Sequence, residues 1–140
     1  MFSIESAIRE RLAALPGSRG VFGIPDGEAD LSGRPLPSVF VMFHGYTVLE
    51  TIACGKEARV ASRWLVLVVA KSAANIRDGQ PARSLAAPVV DAVLGALMGW
   101  RPAPEYTPLE LVDAPASQYR EGLMTLPLAF VTEHVVAGAS

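Results

Sequence analysis

Arg63-Trp64-Leu65-Val66-Leu67-Val68-Val69-Ala70-Lys71 (RWLVLVVAK) decides how this chain is read. β-Branched and aromatic side chains held between two cations predict a strand. Successive side chains of a strand point to opposite faces of the sheet, so Trp64, Val66 and Val68 oppose Leu65, Leu67 and Val69. Both sets are apolar. A sheet wetted on one side alternates apolar with polar residues, and this one does not. The strand over 38–43 (SVFVMF) behaves the same way, with Val39, Val41 and Phe43 opposing Phe40 and Met42. So does the stretch 123–134, where Met124, Leu126, Leu128 and Phe130 oppose Leu123, Ala129 and Val131. Both faces of the central sheet call for cover.

Upstream, Ser3 caps a helix expected over 3–15, with Ile4, Ile8, Leu12 and Leu15 on one stripe and Glu5 four residues before Arg9. Pro16-Gly17 ends it. A short apolar piece at 21–24 and a turn-rich loop at 25–37 follow. His44-Gly45 interrupts the strand that starts at Ser38. A second strand over 46–53 then pairs with a third beginning near Ala58, with Gly55-Lys56 in the turn. Residues 72–80 (SAANIRDGQ) read as a polar loop. The second helix spans 82–100, on the stripe Leu85, Val89, Val93, Leu97 and Trp100. Pro88 places its regular start near Ser84 or Leu85. Two closing strands, 109–113 and 123–134, flank a loop at 115–122, and Pro127 points to an edge strand or a bulge.

The order α-β-β-β-α-β-β lacks a regular βαβα alternation. It predicts an α+β fold, a two-layer mixed β-sheet of four to six strands with two helices. One helix on each face would make a self-sufficient monomer. Both helices on one face would leave the other bare. At ~25 cal/mol per Å² of apolar surface, a few hundred Å² left wet favours self-association.

Length and composition bound the function. At 140 residues, 51% hydrophobic and net charge −2, the chain fits one domain over 1–140. It has neither the composition of a disordered segment nor the basic excess of a phosphate binder. Its single cysteine, Cys54, forms no internal bridge and suits a reducing compartment. The apolar runs 64–70 and 92–100 fall short of the ~18 residues a spanning helix needs. Glu5, Arg9, Glu10 and Arg11 stand where an export signal would be uninterrupted. The expectation is a soluble chain that binds no membrane and no specific nucleic-acid sequence.

Catalytic chemistry is sparse. His44 and His134 form no HExxH or HxxxH pair, and a zinc site would need both to converge with Cys54 and a carboxylate. No GxSxG, Walker A or GxGxxG pattern occurs. Gly17, Gly20 and Gly23 follow a helix, whereas a phosphate cradle follows a strand. Asp26, Glu28 and Asp30 lack the bidentate Glu of a calcium loop. Arg34, Arg59, Arg63 and Arg77 have no aromatic platform beside them. The residues point to no catalytic, metal or cofactor site.

One pattern spans nearly the whole chain. An amphipathic helix (Ile4 to Leu15) precedes Pro37-Ser38-Val39-Phe40-Val41, then Arg63-Trp64-Leu65-Val66-Leu67-Val68-Val69 and a polar loop. A helix ending Gly95-Ala96-Leu97-Met98-Gly99-Trp100-Arg101-Pro102 follows, and the chain closes on Leu126-Pro127-Leu128-Ala129-Phe130-Val131-Thr132. This resembles the tail terminator, or tail completion, proteins of long-tailed bacteriophages in the Mu-like prophage group. The resemblance implies a small mixed α/β fold and a structural virion role. It implies a homo-oligomeric ring, typically a hexamer, at the head-proximal end of the tail tube. There it would stop tube polymerisation and present a surface to the head-tail connector protein. The partners implied are other copies of the chain, the tail tube protein and that connector, with assembly in the host cytoplasm. Candidate subunit or tube contacts are Arg34, Tyr46, Arg77 and Asp78. The alternatives are another phage neck or tail component on a related fold, or a small-ligand or enzymatic domain using His44, Tyr46 or Cys54.

Overall fold

The computed structural model describes residues 2–13, 21–23, 38–71, 80–120 and 123–139. In chain order the elements are α1 (Ser3–Ala13), β1 (Val21–Gly23), β2 (Ser38–Ile52), a tight turn (Ala53–Gly55) and β3 (Glu57–Lys71). After these come α2 (Gln80–Leu97), β4 (Glu110–Val112), β5 (Gln118–Arg120) and β6 (Leu123–Ala137). The six strands form one mixed sheet in the order β1-β2-β3-β6-β4, with β5 also against β6. β1 runs parallel to β2 and every other pairing is antiparallel. The α+β class expected from the element order is the one observed.

Three long strands make the frame. β3 lies between β2 and β6, and its register with β6 is unbroken from Glu57 opposite Ala137 to Lys71 opposite Leu123. On one face, Val39 and Val41 of β2, Trp64, Val66 and Val68 of β3 and Phe130 of β6 build the main core. Ile4, Ile8 and Leu12 of α1 and Ala86, Val89, Val93 and Leu97 of α2 join them there. Both helices thus share a single face. Phe40 and Val69 form a smaller cluster on the opposite face, flanked by half-buried Met42, Leu67 and Leu123. Among the described residues no helix covers that side, so the arrangement with one helix on each face does not occur.

Helix and strand also differ in reach. At 1.5 Å per residue, the 18-residue α2 is about 27 Å long. At about 3.4 Å per residue, each 15-residue strand reaches about 50 Å. The helices therefore cover roughly half the strand length. The connection after α2 extends that cover a little. Gly99 takes φ +77, a conformation that favours glycine, and turns the chain back. The Gly99 N–H donates to the Leu109 carbonyl at 2.9 Å and the Leu109 N–H to that of Trp100 at 2.8 Å. Tyr106 and Leu109 are then buried in the core.

Four boundaries differ from the sequence reading. His44-Gly45 does not end a strand. It forms a bulge with Gly45 at φ +90, so the two strands expected at 38–43 and 46–53 are one. α2 begins at Gln80, several residues before Ser84, which leaves Pro88 inside the helix on its exposed side. Residues 118–120, expected in a loop, are β5. Pro127 lies in an inner strand without a bulge. Its ring sits in the gap between β5, which pairs at 123–125, and β4, which pairs at 129–131. The missing N–H would have pointed into that gap, so the ladder loses nothing.

Phe130 is fully buried among both helices and three strands. Phe130→Ala is expected to destabilise the fold by about 3–5 kcal/mol, read as a lower urea midpoint at unchanged slope.

Candidate functional site

Beyond the helices, the sheet continues as a three-stranded arm: 44–52 of β2, 57–62 of β3 and 133–137 of β6. Its side chains are not those of a solvated surface. Tyr46 is 58% exposed, Val48 51%, Leu49 42%, Ile52 45% and Val135 57%. These five large apolar groups are spread over the arm, Tyr46 and Val48 on the helix-bearing face and Ile52 and Val135 on the other, so the arm presents apolar side chains to both sides. β2 is irregular here, with register shifts between Phe43 and Tyr46 and between Val48 and Glu50. Bulges of this kind bend a strand and re-aim its side chains.

The arm turns through Ala53, Cys54 and Gly55, all at positive φ (54, 57 and 84). For the two residues with a Cβ this left-handed geometry costs about 1–2 kcal/mol each. The tip is thus a strained, exposed feature next to Ile52. Across the arm, Arg59 of β3 reaches both neighbouring strands. Its Nη1 lies 2.6 Å from Glu133 Oε1 of β6 and its Nη2 3.8 Å from Glu50 Oε2 of β2. All three groups are substantially exposed, so each pair contributes only about 0–1 kcal/mol. Their effect is to tie three strands in one row.

Each edge of the arm lacks a neighbouring strand. β1 pairs with β2 only at 39–41, and among the described residues nothing pairs with β2 beyond it. On the other side, β4 pairs with β6 at 129–131. Thr107 then caps the next step. Its N–H donates to the Glu133 carbonyl at 3.0 Å, and its Oγ1 accepts from the Glu133 N–H at 2.9 Å. The Thr132 hydroxyl donates to the Thr107 carbonyl at 2.6 Å. Past this clamp no strand among the described residues pairs with the outer edge of β6. A hollow of about 170 Å³ lies there, lined by Arg59, Glu105, Thr107, Glu133, His134 and Val135.

His134 is buried at this edge with neither ring nitrogen hydrogen-bonded. Its ring lies edge-on to Tyr106, centroids 4.8 Å apart. Burial pushes its pKa below the ordinary 6.5, partly opposed by the Glu105 carboxylate. His134 is a packed neutral ring.

Of the sequence-predicted contacts, Tyr46 lies on the arm, whereas Arg34, Arg77 and Asp78 fall outside the described residues. His44 sits exposed at the first bulge and Cys54 is exposed at the tip. Among the described residues no three His, Cys, Asp or Glu side chains gather as a metal site. No described helix is long and apolar enough to cross a membrane. Val48, Leu49, Ile52 and Val135 were not singled out from the sequence. Their signal was available in 46–52 (YTVLETI), which reads as a half-covered strand with no helix long enough to lie on it.

The family model described as phage tail terminator protein matches residues 1–140, the whole chain. No curated protein matches it.

The His134 shift fixes the sign of a pH dependence. The unfolded ring takes up its proton near pH 6.5, and the folded ring only at lower pH. Its contribution to stability is complete above 6.5. It is lost as pH falls from there toward the folded value, at up to ~1.4 kcal/mol per pH unit. The gap in unfolding free energy between the wild type and His134→Phe should be constant above pH 6.5 and shift in favour of the variant below it. Parallel urea titrations across that range check this.

Proposed function

This chain belongs to the phage tail terminator protein family, which gives it a structural role in a phage tail, and from that premise we propose its specific task. Copies of the chain, six in the ring we favour, close on the head-proximal end of the tail tube. They end tube polymerisation there and offer the opposite face to the head-tail connector protein. The 140 residues act as one domain in that ring.

The observation that carries this reading is the arm. A chain of this size holds back a half-length of three strands from its own helices and leaves Tyr46, Val48, Leu49, Ile52 and Val135 exposed there. Such a surface is suited to partners in an assembly. A terminator needs two kinds of contact, one with sister copies and one with the last layer of tube subunits. Tyr46, exposed on the arm, is one of the proposed contacts. Arg34, Arg77 and Asp78 remain proposed contacts to the tube or to neighbouring copies. Nothing in this role calls for a cofactor or for turnover, so the chain works by shape, adhesion and timing.

The test is polymerisation of the tube protein from the same genome, followed by negative-stain microscopy. Tubes grown with this chain should be severalfold shorter than tubes grown alone, with a cap at one end only. Tubes of unchanged length and bare ends would overturn the reading.

A further inference from the structure

We propose that sister copies join strand to strand, the outer edge of β2 in one copy lying beside the open β6 edge at 135–137 in the next. The inference rests on the ring reading and names the surface that forms it. Backbone direction supplies the first argument. The Glu133 N–H and carbonyl both point away from β3, because both bond to Thr107. Alternation along a strand aims the backbone groups of Val135 and Ala137 the same way. Among the described residues no backbone bond meets them on that side. Even-numbered residues of this part of β3 therefore face β6, and Arg59 and Ala61 face β2, where they oppose Glu50 and Thr47. Tyr46 and Val48 are left with their backbone groups directed outward.

The second argument identifies the occupant. An open sheet edge accepts an extended strand, and this chain carries a matching one on the other side of the same arm. Monomers blunt such edges with lysine, proline or a covering segment. Here the β6 edge reads Val135-Val136-Ala137, and the β2 edge carries Tyr46, Val48 and Leu49. Because each copy holds one edge of each kind, the contact is heterologous, the type that generates rings. β2 and β6 both run antiparallel to β3, so copies joined without inversion pair in parallel, as β1 does with β2.

The third argument is local fit. The hollow beside Val135 spans the sheet edge, lined by Arg59, Glu133 and Val135 from the opposite face and by His134, with Thr107 and Glu105 beside it, on the helix-bearing face. Tyr46 projects on the helix-bearing face of its own copy, opposite Ser62. When the edges meet, its ring fills the neighbour's hollow and its hydroxyl donates to a carboxylate at the rim. The apolar body and polar tip of tyrosine suit a pocket of this make-up.

The experiment uses Tyr46→Ala, which empties the β2 side, and Val135→Pro, which removes an outward N–H that meets no backbone partner among the described residues. Val135→Lys blunts the same edge without touching the backbone, and it stands in if the proline variant loses its circular dichroism spectrum or melt. Solution mass is measured by light scattering and native mass spectrometry up to hundreds of micromolar. The wild type should form closed oligomers, and each variant alone should associate about tenfold or more weakly. An equal mixture of a β2-side and a β6-side variant keeps one intact contact and should yield dimers of one copy of each. Three outcomes overturn the join: a wild type that stays monomeric throughout, variants with the wild-type mass distribution, or a β6-side variant that dimerises by itself. The tube-length assay separates the two claims. If both variants cap tubes as well as the wild type does, the strand join fails and the terminator reading stands. If the wild type caps nothing, the terminator reading fails while the mass data still decide the join.

Discussion

A mismatch of lengths governs this molecule. Its three principal strands have fifteen residues each and its longer helix eighteen. A strand advances more than twice as far per residue as a helix. Two helices on one face can seal about half of such a sheet, and the sealed half contains Trp64, Val66, Val68 and Phe130. The other half projects. Its position and its greasy edges follow from that geometry, as does its freedom to meet something outside the chain. Lengthening the helices would need more residues between β3 and β4. Shortening the strands would remove the arm.

The sealed half supplies the fold's independence, and the arm draws on it. β3 and β6 are continuous through both halves, so their register is set where the core fixes it and is carried outward residue by residue. A slip of one residue in the arm would turn Trp64 and Phe130 out of the core. That is why the arm needs little internal stabilisation. The Arg59 row, with half-exposed partners, and the Thr107 clamp on Glu133 suffice to keep it flat and in register. Stability and interaction surface are thus divided along the same strands.

The two halves were legible to different degrees in the sequence. Strand positions in the sealed half followed from apolar residues on both faces, and α1 followed from Ile4, Ile8 and Leu12, all buried as the stripe requires. His44-Gly45 misled because the pair has the composition of a turn. A bulge uses the same residue types to bend a strand without ending it, and only a partner strand distinguishes the two. β5 was invisible since its three residues gain their strand character from β6 and have no pattern of their own. Pro88 suggests a first-turn position and so a helix start near Ser84 or Leu85, whereas α2 begins at Gln80 with the proline inside it. On the exposed side of the helix, water can serve the carbonyl that its ring leaves unpaired. The side of the sheet taken by each helix depends on chain crossings, which periodicity does not encode. The arm was therefore legible only in part: 46–52 carries an apolar signal, but the packing of both helices on one face over the other half of the sheet is what leaves it uncovered.

In the proposed ring, a surface that binds identical copies in sequence, and stops at a closed number, would need more than adhesion. Any open edge can add a neighbour, and a contact with the wrong rotation grows into a filament. The irregularities of β2 bear on this. Two bulges within six residues bend the outer strand and increase its local twist, next to the tip strained at Ala53 and Cys54. In the proposed join an incoming copy would meet a strand already bent by these bulges, and β2 would help to set the angle between neighbours. On the β6 side, Thr107 blocks one end of the open edge and limits pairing to a few residues. A long edge would hold a partner through backbone bonds alone, whatever its side chains. In the proposed join, a short one would make the fit of Tyr46 in its hollow decisive, and with it the preference for a copy of the same chain over an arbitrary strand. Curvature on one edge and brevity on the other are the two properties that would let such a sheet close on itself in the proposed ring.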